Sequence, residues 1–153
     1  MSRLIHQGLG RPLVLGFGGE VHLGGCIDQA LPHSVPDPVE QAAFRRLREL
    51  HPLLRRGMRT AQVWGDCVGD LQAGLTAVSL SSPFTLQSQR SRDARGGLKR
   101  AAHRAHPLNL EALVDANIDF VAMANSHALD YREEVCVCNR HARAPRHCHA
   151  TAT

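Results

Sequence analysis

Two short stretches carry side chains whose types and spacing could do chemistry. In Gly18-Gly19-Glu20-Val21-His22-Leu23-Gly24-Gly25 a carboxylate and an imidazole stand two residues apart. Along an extended chain such a pair projects to one side, and together they form a donor set for zinc or a similar divalent metal. The glycines around them allow sharp turns and close approach of the backbone to a ligand. A glycine-rich turn with two solvated side chains is the alternative reading. The second stretch is Ala124-Asn125-Ser126-His127, where amide, hydroxyl and imidazole groups crowd the exit of the apolar run Phe120-Val121-Ala122-Met123. A third polar exit, Ser79-Leu80-Ser81-Ser82-Pro83, offers hydroxyls. No general base stands beside them in sequence, so they read as turn caps rather than nucleophiles.

These groups can meet only if the runs before them are strands of one sheet. Pro12–Phe17, Leu75–Leu80 and Phe120–Met123 are short and apolar, and each ends in a polar turn, the pattern of buried strands. In α/β sheets ligands gather outside the carboxyl ends of such strands. The three are therefore expected side by side, near residues 12–17, 75–80 and 120–123. Between the first two, Asp37-Pro38-Val39-Glu40 predicts a helix start, with Asp37 as cap and Pro38 in the first turn. Its buried stripe is expected at Val39, Ala43, Leu47 and Leu50, and His51-Pro52 ends it. Residues 27–38 read as a proline-rich connection. A short helix follows Val63-Trp64-Gly65-Asp66, with Trp64 as a packing anchor. Another carries Leu110, Leu113 and Val114. The order β-α-α-β-α-β predicts an α/β fold.

The chain of 153 residues has room for one domain with a real core. We divide it into a flexible arm, 1–11, a domain, 12–131, and a tail, 132–153, expected to be disordered. The tail holds Cys136, Cys138, His141, His147, Cys148 and His149, whose spacing fits no common zinc finger. Eighteen basic residues oppose 14 acidic ones, and no nucleic-acid recognition motif accompanies that excess. Six of the basic side chains fall between Arg90 and Arg104, in a segment expected to be an exposed loop. No run approaches the length of a membrane span, no signal peptide is evident, and five cysteines form no secreted disulfide framework. A cytoplasmic location is expected.

Five motifs taken in order resemble one family. The capsule-synthesis protein CapA family, also called the poly-γ-glutamate capsule biosynthesis family, shows G-D-V-M-L-G, V-W-G-D, N-L-E, H-P-x-N and A-N-N-H-x-L-D. Here Gly19–Gly24, Val63–Asp66, Ser79–Ser81, His106–Asn109 and Ala124–Asp130 correspond, over about residues 12–131. The resemblance implies the N-terminal half of a calcineurin-like metallophosphoesterase sandwich. It implies a divalent manganese or zinc site at Glu20, His22, Asn125 and His127, with His127 as the catalytic group, and a phosphoester or anionic polymer as ligand. The departures are as informative. Glu20 replaces the family aspartate, Ser81 the N-L-E glutamate and Ser126 the second asparagine, while His22 replaces a methionine and creates a Glu-x-His pair. The family also continues beyond residue 131, so the chain is expected to be a truncated piece, with its sheet uncovered and prone to self-association. The expected function is a domain fragment with lost or vestigial metal-dependent hydrolysis. The alternatives are a residual mononuclear hydrolase and a non-catalytic module that binds an anionic polymer through Arg90–Arg104.

Overall fold

A computed structural model describes residues 2–6, 13–86 and 103–131. Its centre is a four-stranded sheet in the order β1-β2-β3-β4. Strand β2 (Leu13–Val21) runs parallel to β3 (Leu75–Leu80), which runs parallel to β4 (Phe120–Ala122). Strand β1 (Ser2–His6) pairs antiparallel with the outer edge of β2. Three parallel strands taken in sequence need two crossovers stepping the same way. The right-handed rule then puts both sets of connecting helices on one face of the sheet. The chain is thus an α/β fold with its three predicted strands adjacent.

Burial follows from that topology. Inward-facing Thr76, Val78 and Leu80 of β3 are buried. Val78 and Leu80 join a core with Leu23, Leu71, Ala105, Ala112, Leu113, Ala116 and Ile118. Leu71 ends α3 (Val68–Leu71), and Ala112 and Leu113 come from α4 (Glu111–Asp115). Trp64 packs against this core and donates its indole N–H to the Ala112 carbonyl at 2.7 Å, the anchor expected of it. The opposite face is open among the described residues. Phe17, Leu75 and Phe120 are 47, 41 and 45% exposed, and Phe17, Ala77 and Phe120 stand in register across three strands. They line a shallow apolar depression of about 360 Å³ with Ser79 and Ala122.

Several expectations change. The first strand does not stop at Phe17 but continues through Gly18 and Gly19 to Val21, with a register slip between Phe17 and Glu20. Gly18 suits the strand because β3 lies so close. A Cβ on Gly18 would come within 2.9 Å of Val78 Cγ1. Residues 2–6, expected in a flexible arm, form β1. Backbone pairing to a strand edge needs little side-chain pattern, so the sequence carries no strong sign of it. The third strand is not buried on both sides, since Phe120 and Ala122 face outward.

Helix α2 (Pro38–Leu50) starts as predicted, with Asp37 Oδ1 accepting from Val39 and Glu40 N–H. Its buried residue is Phe44, however, while Val39 and Leu50 are 74 and 70% exposed. It packs on a short helix within the segment expected to be a connection, α1 (Cys26–Ala30), rather than on the sheet. Arg104, expected on an exposed loop, is buried. Its guanidinium pairs with Asp37 at 2.9 Å and lies over the Tyr131 ring. The rest of the arginine-rich segment, 87–102, and the tail, 132–153, fall outside the described residues.

Candidate functional site

The carboxyl ends of β2, β3 and β4 are joined by side chains that satisfy backbone groups of the neighbouring strand exit. Ser81 N–H and Oγ both donate to the Val21 carbonyl, at 2.9 and 3.1 Å. Asn125 Nδ2 donates to the Leu80 carbonyl at 2.7 Å, and its Oδ1 accepts from His127 N–H at 3.0 Å. Parallel strands end here without further ladder bonds. Short polar side chains therefore close the seam, as buried backbone groups require. Glu20, the last residue but one of β2, is exposed and opposite Ser79.

His22 emerges just past β2. Its Nδ1 lies 2.7 Å from Ser82 Oγ. Ser82 is fully buried, and the same oxygen accepts from Leu23 and Gly24 N–H, each at 3.1 Å. A hydroxyl has two acceptor sites and one proton. With both sites filled by backbone donors, the proton goes to His22 Nδ1. The sequence offered Ser82 no base, and the structure supplies one. Yet the hydroxyl is enclosed and fully engaged, so Ser82 orients His22 and is no nucleophile.

His127 is oriented from the other side. Its Nδ1–H donates to Asp130 Oδ2 at 2.8 Å, and Asp130 is fully buried. The same oxygen accepts the His103 backbone N–H at 2.8 Å. One carboxylate thus fixes an imidazole and the backbone of the residue that carries another. The outcome is a row of three rings: His22 and His103 have centroids 4.3 Å apart, nearly perpendicular, and His103 and His127 are 4.5 Å apart. Partial burial, with His103 and His127 beside it, holds His22 below the ordinary histidine pKa, while Glu20 pulls the other way.

The structure therefore gathers Glu20, His22, Asn125 and His127 at one end of one sheet. It adds Ser82, Asp130 and His103, which are not among the candidate residues expected from sequence. Asp130 closes the A-N-N-H-x-L-D motif and could have been picked out from it. His103 had no such signal, because it sits in an arginine-rich stretch without apolar periodicity. His106 and Asn109 are brought elsewhere. Asn109 Nδ2 and His106 N–H donate to buried Asp28 Oδ1, at 2.8 and 2.6 Å, and Val35 N–H donates to Oδ2. Burial raises the Asp28 pKa against these donors. That cluster ties α1 to the turn Pro107–Leu110 and is structural.

Polar side chains thus converge beyond the carboxyl ends of parallel strands, the place where ligands gather in α/β sheets. The family model for the bacterial capsule synthesis protein PGA_cap matches residues 14–137, and the chain belongs to that family. No curated protein gives a match.

Proposed function

We propose that this chain is a capsule-synthesis-family domain of metallophosphoesterase-like fold in which two-metal hydrolysis has been lost, leaving a vestigial single-ion site. Two-metal hydrolysis needs enough anionic and imidazole ligands to clamp two ions about 4 Å apart around the reacting oxygens. The observation that carries the reading is Ser81. Where the family resemblance places a carboxylate, a hydroxyl is turned into the Val21 carbonyl. Asn125, expected as a ligand, has its amide engaged by Leu80 and His127 backbone, so only the second lone pair of its Oδ1 could reach an ion. Among the described residues, no group of three or more His, Cys, Asp or Glu side chains stands arranged to hold a metal. These residues do not fit a two-ion centre.

What remains is Glu20, His22 and His127, with Asn125 beside them, as side chains that would have to turn toward one another to hold one divalent ion. Bound there, an ion would supply Lewis acidity toward a phosphoester or other anionic oxygen. His127 would face that ligand, held by Asp130. Electron paramagnetic resonance of the full chain with added manganese tests the reading, since manganese discriminates against the thiols of the tail. Mononuclear signals alone are expected. A spin-coupled pair of ions would overturn it.

A further inference from the structure

We propose that the outer face of α2, with the turn that follows it, is a docking surface for the headgroup layer of an anionic bilayer. The contact lies on lipid and spans nothing, and it makes no use of the histidine row. A stripe of α2 points away from the core. Val39, Ala43, Arg46 and Leu50 recur at i, i+4, i+7 and i+11, so they share one line along the helix. All four are exposed, while Phe44, roughly opposite them, is the residue that α2 buries. Just past the helix, in the turn where Leu54 N–H donates to the His51 carbonyl, Leu53 is 90% exposed. Val39, Leu50 and Leu53 therefore make an apolar edge that nothing among the described residues covers.

The same segment concentrates positive charge. From Pro38 to Arg59 six arginines stand against Glu40 and Glu49, a net +4 that equals the formal excess of the whole chain. All six are exposed. Arg48 Nε donates to the Leu54 carbonyl at 3.3 Å and Arg56 to Gln29 Oε1 at 3.4 Å, which folds the turn back onto α2 and α1. Arg45, Arg46 and Arg55 form no ion pair among the described residues. Apolar edge and charge together select the occupant. A second copy across a twofold axis would set arginine against arginine. A soluble anionic polymer would meet the guanidinium groups and leave the leucines in water. An anionic bilayer meets both. Guanidinium forks pair with lipid phosphates, their stems lie along apolar surface, and the leucines enter the boundary between headgroups and acyl chains. The stripe is small, so attachment needs both signals at once, as peripheral anchors generally do.

The test is sedimentation of the full chain with vesicles of phosphatidylglycerol and phosphatidylcholine, compared with phosphatidylcholine alone. Binding to the anionic vesicles is expected, and it should fall away at about 0.5 M salt as screening shortens the reach of the charges. Leu50→Ser with Leu53→Ser should weaken it by about tenfold or more. Arg45→Gln with Arg46→Gln should weaken it by about fivefold per arginine. Both pairs are exposed, so urea midpoints should stay near that of the unaltered chain. Brominated lipid should quench the added indole of Leu53→Trp and spare Trp64, which packs against the core. The proposal fails if anionic vesicles do not bind, or if either double variant binds them as tightly as the unaltered chain. Oligomers that the leucine pair dissolves, without vesicle binding, would give this face to a second copy. Binding of soluble polyglutamate that the arginine pair alone abolishes, without vesicle binding, would give it to a polymer. Either result overturns the proposal and leaves the single-ion reading untouched.

Discussion

Ser82 donates its hydroxyl proton to His22 Nδ1 across 2.7 Å while accepting the N–H groups of Leu23 and Gly24, so one buried oxygen satisfies three groups at the exit of β2. Ser82→Ala removes all three partners. Leu23 and Gly24 are buried, and each orphaned N–H costs about 1–3 kcal/mol. Urea denaturation should show a loss of about 2–6 kcal/mol. A loss below about 0.5 kcal/mol, the size of an ordinary surface change, would mean that Ser82 does not organise this exit.

Gly24→Ala should disturb the histidine row without touching a ring. Its Cβ would meet the Arg104 carbonyl at 2.6 Å, and backbone cannot swing aside as a side chain can. The expected cost is about 1–3 kcal/mol, as for overpacking in a core. Histidine side-chain NMR should show His103 displaced from His22. Unchanged shifts at both rings would mean that this backbone contact does not set their spacing.

How far the sequence reading reached depends on how local each signal was. Asp37 capping α2 is a contact between neighbours in sequence, and it was legible. The three parallel strands were legible because each was an apolar run with a polar exit. The buried face of α2 was misplaced, since Val39, Ala43, Leu47 and Leu50 make a good stripe but α2 packs on α1 through Phe44. Nothing in the stripe reveals which element it meets. His103 was missed because its partners, Asp130, His22 and His127, are distant in sequence.

His106 gives the fold an acid sensitivity. Its Nδ1 accepts the Leu108 N–H at 3.2 Å, capping the turn Pro107–Leu110. Burial and neighbouring His33 hold its pKa below the ordinary 6.5, with Asp28 opposing them. A histidine with a depressed folded pKa binds fewer protons folded than unfolded. Its stabilisation is therefore complete above 6.5 and is lost as pH falls through the lower folded value. Urea midpoints should drop between pH 7.5 and 5. In His106→Asn, whose amide caps without titrating, that drop should shrink. An equal drop in both proteins would assign the sensitivity to other groups.

The open sheet face should drive association. Phe17 and Phe120 are about half exposed and in one cross-strand row, and an apolar patch of this kind marks an interaction surface. Light scattering behind gel filtration should show concentration-dependent oligomers of the full chain. Phe17→Ser with Phe120→Ser should return it to monomer. A wild-type chain that stays monomeric at high concentration would contradict this.

The proposed loss of two-metal hydrolysis is tested most directly by turnover of a chromogenic phosphodiester. With zinc or manganese in excess, the full chain should hydrolyse no faster than the metal alone, and His127→Ala should change nothing. Metal-dependent turnover well above that background, abolished by His127→Ala in a folded protein, would contradict it.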